Sequence, residues 1–576
     1  MIKPKRSLEN LIPYEVPLFE QEWDLKIDSN ENLYGPSPKV LEAIRNVDPK
    51  DILFYPYYGE LSQKIADYAG FEIDNIKVTN GADEAISSIF TAYLDPEDAV
   101  LTVTPSFAMP VVYSQIIGSE LIEVPYEKKW EFPIDAFLAQ LENSKIKIVH
   151  LTTPNNPTGE TISEENITRI LQKSKDKLVL IDETYGNYCN STYRKFVKQY
   201  DNVFIVKSFS KDFALAGLRL GYIISNPANI KILKAVVSPY SVNSMAVKAG
   251  IAALDDCEYF EVIKEQLELS KAIFKEGFEK LGAKVYPSGA NFLCVDFAQK
   301  SDFVYKKLVS CGICVKKYNS GVLNGFMRIT APKPSDAKII LKLLKTQELL
   351  AFDMDGVLFD VGMSYRMAIK RTFEYFSGKE LPMTRIQEVK NKGGLNNDWE
   401  LTAYLLRIES IAIPMSDVVE KFQEFYWNEG KGFINDEELL IDKSLLSELA
   451  KKYNLAIFTG RPKLEAEYAL KKHGIFNCFS EIITMDSLAS NEQKPSPAGL
   501  NLLKNKTGIE KIMYFGDTVD DVTSALGAKA MPIGVLPPQD KSEDLASKLK
   551  MRGAALVINT INEIEKALEL FYETQH

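Results

Sequence analysis

The feature that most constrains this chain is a recurring join, in which a short apolar run is followed at once by a turn or a helix-start signal. IKIVHLTT, KLVLIDET (177–184) and NVFIVKSF (202–209) have this form in the first half, and NLAIFTG (454–460), KIMYFGD (511–517) and AMPIGVL (530–536) have it in the second. Short runs with no polar alternation read as strands buried on both faces, which is the signature of a parallel sheet under helices. The expected class is therefore α/β. At 576 residues the chain exceeds one hydrophobic core, so roughly two to four domains are expected. The helical pattern PSDAKIILKLLKT (334–346), with Pro334, Ser335 and Asp336 at its start, runs almost directly into the strand-like ELLAFDMDG. No Gly/Ser-rich linker separates them. From 360 to about 445 the pattern is helical and polar without clear strands. The second half thus reads as an α/β core interrupted by a helical insertion. There is no internal repeat and no low-complexity segment.

The net charge of −11 argues against a nucleic-acid partner, which would leave a basic footprint. The opening MIKPKRSLENLIPYEVP has no apolar core of a signal peptide, and no apolar run approaches the ~18–20 residues of a membrane helix. Six cysteines are sparse for this length. Cys311 and Cys314 form a lone CxxC around the strand-like GICVKK, where an extended backbone would send the two side chains to opposite faces. Plain buried thiols in a reducing, cytoplasmic setting are expected rather than zinc or redox work. His150, His473 and His576 suggest no histidine-based catalysis, and His473 reads as a helix-end residue.

Two constellations carry chemistry. The first lies in SFSKDFALAGLRLGY (208–222) and upstream of it. A pyridoxal phosphate enzyme needs a lysine, a carboxylate against the ring nitrogen, donors to the ring hydroxyl and a phosphate pocket. Lys211 offers the amine. Asp182 ends an apolar strand, where α/β sheets usually build sites. Tyr185 follows three residues later, and Asn156 sits in the turn TTPNNPTGE. In TNGADEAI, Gly81, Ala82 and Asp83 open a helix whose free N–H groups suit a phosphate. Ser208, Ser210 and Arg219 would complete the cup. Each of these alone is ordinary: a serine–lysine pair is usually a helix cap, and Asn-Pro is usually just a turn. Their joint order is not ordinary.

Residues 10–345 resemble the fold-type I, class I/II aminotransferases, and within them most closely the histidinol-phosphate aminotransferases. The matching stretches include DSNENLYGPSP (28–38), YPYYGELSQKIADYAG (55–70), TNGADEAI, PSFAMP, TTPNNPTGE, DETYGNY, SFSKDFALAGLRLGY, ANFLCV and GFMRIT. The resemblance implies a large mixed sheet (about 40–245) and a small domain built from the N-terminal segment and about 246–345. It implies that Lys211 forms the Schiff base and moves the substrate proton, that Asp182 pairs with the ring nitrogen, that Asn156 and Tyr185 hold the ring oxygen, and that Phe107 stacks on the ring. Tyr55 would reach the phosphate of a neighbouring subunit's cofactor, which implies a homodimer. Arg328 would bind the substrate's anionic end, with Asn291 and Lys316 in the substrate set and Tyr14 closing over it. Lys316 stands where the family usually has arginine; it keeps the charge and loses the bidentate fork.

The second constellation begins at AFDMDGVLFD, where Asp353 and Asp355 follow an apolar strand and Gly356 frees the loop to turn both carboxylates to one point. Downstream, Thr459 ends a strand, NEQKPSP offers Lys494, and YFGDTVDD offers Asp517 and Asp521. Such a set suits Mg²⁺ and a phosphoryl group. An aspartate can attack phosphorus, a second can act as acid and then base, and Thr459 and Lys494 can stabilise the phosphoryl oxygens.

Residues 347–576 resemble the haloacid dehalogenase superfamily, with DMDGVLFD as its first motif. The resemblance implies a Rossmann-like core (about 346–366 and 444–576) with a helical cap (about 367–443). It also implies Asp353 as nucleophile, Asp355 as acid/base, and Mg²⁺ held by Asp353, the Asp355 carbonyl and Asp517, with Asp521 near or behind the metal. An aspartate at 355 favours phosphatase over dehalogenase chemistry. In the cap, Arg366, and Lys392 with Gly393–Gly394, are candidate substrate contacts.

The two resemblances together suggest one bifunctional enzyme of histidine biosynthesis. The product of the first reaction, histidinol phosphate, is a phosphate ester that the second half could hydrolyse. Three alternatives stand beside this: an aromatic or broad-specificity aminotransferase joined to a phosphatase for an unrelated ester, a decarboxylase on the same scaffold, and a binding protein that keeps its cofactor pockets.

Overall fold

A computed structural model describes residues 5–8, 22–126, 130–189, 192–390 and 397–573. Tyr14, His576 and the Lys392–Gly393–Gly394 group lie outside the described residues. The chain divides into two compact units: residues 1–301 with 314–341, and residues 302–313 with 342–576.

The first unit is built on a seven-stranded sheet. Its strands are β1 (Ile76–Thr79), β2 (Ala99–Thr104), β3 (Glu120–Pro125), β4 (Ile146–Thr152), β5 (Leu178–Asp182), β6 (Val203–Ser208) and β7 (Gly221–Ser225). They lie in the order β1-β7-β6-β5-β4-β2-β3, and β7 alone runs antiparallel to its neighbours. The unalternating apolar runs have the expected cause. In β5, Val179 and Ile181 enter one core while Leu178 and Leu180 enter the core on the opposite face, so both faces are covered. Helix Gly81–Tyr93 covers one face, burying Ala85, Ile86, Ile89 and Phe90 at helical spacing. A second, antiparallel sheet follows from β8 (Lys284–Val285), β9 (Phe292–Asp296), β10 (Lys316–Lys317) and β11 (Phe326–Thr330), in the order β10-β11-β9-β8. GICVKK is strand at Ile313–Cys314 and Lys316–Lys317, as read, whereas Cys311 just before it follows helix Ser301–Ser310 as its closing turn, its N–H bonded to the Lys307 carbonyl; both Cys311 and Cys314 are buried free thiols.

The second unit is a six-stranded parallel sheet. Its strands are β12 (Glu348–Phe352), β15 (Asn454–Phe458), β16 (Glu481–Ile483), β17 (Lys511–Gly516), β18 (Met531–Val535) and β19 (Leu556–Ile558), in the order β16-β15-β12-β17-β18-β19. Alternation again splits one strand between two cores: Leu349 and Ala351 face one, Leu350 and Phe352 the other. The insertion contains helices Tyr365–Ser377, Met383–Lys390, Asp398–Ile408 and Met415–Tyr426. It is not wholly strandless, because β13 (Phe359–Asp360) and β14 (Glu438–Leu439) pair antiparallel at its base. Two-residue strands are too short to show an apolar period, which is why the sequence pattern misses them.

Candidate active sites

In the first unit the strand ends gather the residues expected to form a phosphate cup. Gly221 of β7 pairs on one side with Thr79 and on the other with Ser208. One glycine therefore brings together the Gly81 turn, Ser208 and the adjoining Arg219. A Cβ at Gly221 would lie 2.6 Å from the Gly81 carbonyl carbon, and one at Gly81 would lie 2.8 Å from Arg219 Nη2. Gly81 has φ +75°, a conformation open to glycine. No side chain caps the helix that starts there, so its first N–H groups stay open to an anion. Arg219 is itself left-handed (φ 56°, ψ 58°), a strained state for a non-glycine residue. Its Nη2 donates to Asp83 Oδ2 at 2.8 Å. Asp83, expected in the cup, thus serves by holding the arginine. The Ser210 N–H donates to Ser208 Oγ at 3.1 Å, and Ala82 follows Gly81 in the first turn.

Beside the cup lie the groups for a ring and a substrate. Asp182 ends β5, in register with Thr152. It is buried, and burial raises its carboxyl to about 6, against the hydrogen bonds from Thr184. Lys211 donates to the Ser29 carbonyl at 2.8 Å. Burial, with Arg328 next, lowers its amine to about 8, and Glu31 opposes this. Tyr185 Oη accepts from Asn30 Nδ2 at 2.9 Å, and Arg328 Nη1 donates to Asn156 Oδ1 at 2.6 Å. Arg328 Nη2 donates to the Asp28 carbonyl, and Asn291 Nδ2 donates to the Asn30 carbonyl at 3.0 Å. Lys316 of β10 faces Arg328 of β11 across the ladder, with an exposed side chain. Phe107 follows the end of β2, half-buried against the core beneath. Tyr55 is 78% exposed and stacks on Tyr240 at 4.3 Å.

This chain's groups fit pyridoxal phosphate. The carboxyl of Asp182 is buried, with no cation at bonding distance among the described residues, and a protonated ring nitrogen would supply a positive partner. The glycine-lined cup excludes side chains where a phosphate needs backbone donors. Asn291 Oδ1 and Arg328 Nε are buried without hydrogen-bond partners among the described residues, which is unusual for enclosed polar atoms and suits a wall that faces a ligand. Asn30 and Ser29, which position Tyr185 and Lys211, lie within the quoted DSNENLYGPSP, but nothing local marks them as partners of residues more than 150 positions away.

In the second unit the motifs converge on one carboxylate cluster. Asp353 follows β12, Asp517 follows β17, and carboxylate oxygens of Asp353, Asp517 and Asp521 all lie within 4.8 Å of one another. Gly356, with φ +73°, lets the Asp353–Asp355 loop close so tightly that a Cβ there would strike the Asp517 carboxylate. Thr518 and Asp521 form a capping box on helix Val519–Gly527, which fixes Asp521 from local sequence. Lys494 Nζ lies 2.9 Å from Asp353 Oδ1 and 2.7 Å from Asp521 Oδ1. Burial works against the charge on Lys494, but Asp353 and Asp521 hold its ammonium above the usual lysine range. Burial also lifts the Asp353 carboxyl, with Lys494 opposing and Asp521 and Asp355 reinforcing. The two shifts point apart: the lysine is well paired, whereas Asp353 is under-neutralised. The distances support both statements, since one cation serves several carboxylates. A hard divalent cation with oxygen ligands fits that deficit. Asp521 also accepts from Tyr514 at 3.0 Å and Thr518 Oγ1 at 2.6 Å, which places it behind Lys494 rather than free for a metal alone. Asp355 does not share the side-chain cluster; only its backbone carbonyl is left to serve a metal there. Thr459 is buried after β15, its Oγ1 accepting from the Arg461 N–H at 3.3 Å.

Sequence reasoning missed Arg461. Its Nε donates to Asp355 Oδ1 at 2.6 Å and its Nη1 to Glu437 Oε2 at 2.9 Å, with 1% of its side chain exposed. Tyr426 and Ser364 donate to Glu437 Oε1, both at 3.0 Å, while Tyr365 and Gln423 donate to Glu465 at 2.5 and 2.8 Å. The only available signal was its position two residues after Thr459 in FTGR.

The fold and sites define a pyridoxal-phosphate type of aminotransferase followed by a phosphoryl-type hydrolase. The sequence matches the family model for aminotransferase class I and II over residues 24–342, and that for haloacid dehalogenase-like hydrolase over residues 347–529. The chain belongs to the class I and II aminotransferases and carries a haloacid dehalogenase-like hydrolase domain after it. It is 35% identical over 333 residues to a histidinol-phosphate aminotransferase of Thermoanaerobacter sp. (strain X514), covering 56% of this chain and 94% of that one. It is 33% identical over 347 residues to histidinol-phosphate aminotransferase 1, chloroplastic, of Arabidopsis thaliana, covering 59% and 83%. Among solved structures, the histidinol-phosphate aminotransferase of Sinorhizobium meliloti in complex with pyridoxal-5'-phosphate shares the fold at TM-score 0.53 and 24% identity, over 56% of this chain and 90% of that one. That of Clostridium acetobutylicum does so at TM-score 0.52 and 24% identity, over 56% and 98%. Among the described residues no helix is long and apolar enough to cross a membrane.

Proposed function

We propose that the chain is a bifunctional cytoplasmic enzyme of histidine biosynthesis. Its aminotransferase domain (1–345) exchanges the amino group between L-glutamate and imidazole-acetol phosphate, giving L-histidinol phosphate and 2-oxoglutarate. Its phosphatase domain (346–576) then releases phosphate from L-histidinol phosphate. One observation carries the reading: a chain whose relatives bear the name histidinol-phosphate aminotransferase also holds a complete phosphoryl-transfer set, from Asp353 to Asp521.

Pyridoxal phosphate, when bound, supplies an electron sink for the substrate α-carbon. Gly81, Ala82, Ser208, Ser210 and Arg219 would hold its phosphate, Asp182 its ring nitrogen, Asn156 and Tyr185 its ring oxygen, and Phe107 its face. Lys211, with its amine lowered to about 8, is poised to take and return a proton at the α-carbon near neutral pH. Arg328 receives the carboxylate of glutamate, and Lys316 beside it adds charge for the phosphorylated substrate. Tyr55 belongs to an exposed apolar stretch with Ile52, Leu53, Phe54 and Tyr57. We assign that stretch to a homodimer contact in which Tyr55 serves the partner's cofactor.

In the second domain Asp353 attacks phosphorus while Lys494 and Thr459 stabilise the phosphoryl oxygens. Asp355 gives a proton to the departing oxygen and then takes one from water. Mg²⁺, when bound by Asp353, the Asp355 carbonyl and Asp517, would offset the clustered negative charge. Lysine at 316 favours one second reading, an aromatic or broad-specificity aminotransferase joined to a phosphatase for an unrelated ester. The test is phosphate release from L-histidinol phosphate with Mg²⁺, comparing the intact chain with Asp353→Asn. Release that is lost in the variant supports consecutive steps; turnover of a generic ester without turnover of histidinol phosphate removes the assigned substrate.

A further inference from the structure

The cavity above Asp353 holds a cation that the chemistry above does not use. About 260 Å³ in volume, it is lined by Asp353, Asp355, Lys494 and Asp517 from the core and by Arg366 from the insertion. Arg366 sits in the first turn of helix Tyr365–Ser377 and is 7% exposed. Its Nε is enclosed with no hydrogen-bond partner among the described residues. Arg461, which also lines the cavity, offers a comparison: its Nε donates to Asp355 and its Nη1 to Glu437.

Burying a guanidinium without fitted acceptors costs several kcal/mol. Asp517, Asp398, Asp360 and Asp540 offset part of that at a distance, although burial still dominates at Arg366. The natural complement of a planar guanidinium fork is an oxyanion. A buried arginine with an enclosed, unpartnered Nε, lining the cavity that Asp353, Asp355, Lys494 and Asp517 also line, suits an acceptor that arrives with the substrate.

We propose that Arg366 is an oxyanion-binding subsite of the phosphatase pocket. The oxyanion has two sources: a non-bridging oxygen of the phosphoryl group being transferred, or a second anionic group, carboxylate or phosphate, on the leaving group. The inference rests on the reading that this pocket hydrolyses phosphate esters.

The experiment uses the full-length, Mg²⁺-loaded protein and its Arg366→Met and Arg366→Lys variants. Turnover is measured on L-histidinol phosphate, glycerol phosphate and phosphoglycerate. Binding of inorganic phosphate and phosphoglycerate is measured by calorimetry in an Asp353→Asn background, so that binding is readable whether or not any ester turns over. We expect R366M to lose at least tenfold in kcat/KM or in anion affinity, and R366K to recover part of it. Equal losses on every ester, with weaker binding of inorganic phosphate, assign the fork to the phosphoryl group. A loss confined to phosphoglycerate assigns it to a second anion. Unchanged binding of both anions in R366M overturns the subsite, and if R366M does not fold, unchanged binding in R366K does so. Absence of turnover on all three esters with R366M-sensitive anion binding removes the hydrolytic reading and keeps the subsite.

Discussion

Each of the two candidate sites is centred on a half-buried lysine, and the lysines differ in what holds them. Lys211 is held by a single backbone carbonyl, and its amine is lowered to about 8. Lys494 is clamped between two carboxylates at 2.9 and 2.7 Å, and its ammonium is held above the ordinary range. Burial alone penalises both charges; the partners decide the outcome. A lysine without a carboxylate becomes a nucleophile and base near neutral pH, whereas one between carboxylates becomes a permanent cation suited to phosphoryl oxygens. The aspartates differ likewise: burial raises the carboxyl of Asp182, whereas Asp353 has the Lys494 ammonium at 2.9 Å.

The strongest way to break this comparison is to remove one centre at a time. Lys211→Ala should lower transamination by more than roughly a thousandfold and leave phosphate release within about twofold, and Asp353→Asn should do the reverse. Coupled losses, measured by separate assays on each variant, would show that the two lysines do not serve separate reactions. Next, Lys494→Met leaves Asp353 and Asp521 buried without their cation. In the absence of Mg²⁺ it should destabilise the C-terminal unit by about 3–5 kcal/mol in urea unfolding, and added Mg²⁺ should restore part of that.

A finer test reads the amines directly. In cofactor-free protein the reactive form of Lys211 is the uncharged amine, so its labelling by an acylating reagent should rise about tenfold per pH unit up to pH ~8 and then level off. Lys494 should stay unlabelled across the same range, as peptide mapping would show. Smaller again is the effect of His150, which is fully buried beside Thr102 and lowered by burial to about 3. Below about pH 6.5 the unfolded chain takes up a proton that the folded chain refuses. Stability should therefore fall with acid by up to ~1.4 kcal/mol per pH unit from this residue, and His150→Asn should flatten that slope in pH-dependent unfolding. The smallest expected change is Lys316→Arg, which should lower KM for imidazole-acetol phosphate by a few-fold and leave glutamate nearly unaffected.

Much of this was legible from sequence because strand ends are local features. Asp182, Ser208, Asp353, Thr459 and Asp517 each end or follow an apolar run, and the sheets place those ends together. The Thr518–Asp521 box was likewise written within four residues. What escaped was non-local or aperiodic. Arg461 finds Asp355 106 residues away, and Glu437 lies inside an acidic stretch with nothing to distinguish it. The pairing of β13 with β14 spans two residues on each side and carries no hydrophobic period. Cys311 sits between the two patterns: the apolar ICV beyond it is extended, whereas Cys311 itself closes the helix that ends before it.

The buried Arg461 has a consequence for protein engineering. Its counter-charge Glu437 and the tyrosines stacked around it, Tyr365 and Tyr426, come from the insertion and its return strand, not from the core that holds Arg461. A shortened or transplanted insertion that does not bring an equivalent acid would strand a guanidinium in the interior, at a cost of about 3–5 kcal/mol. Exchanging the insertion therefore means exchanging it together with residue 461, so that the seam between the grafted pieces runs through the loop after β15 rather than around it.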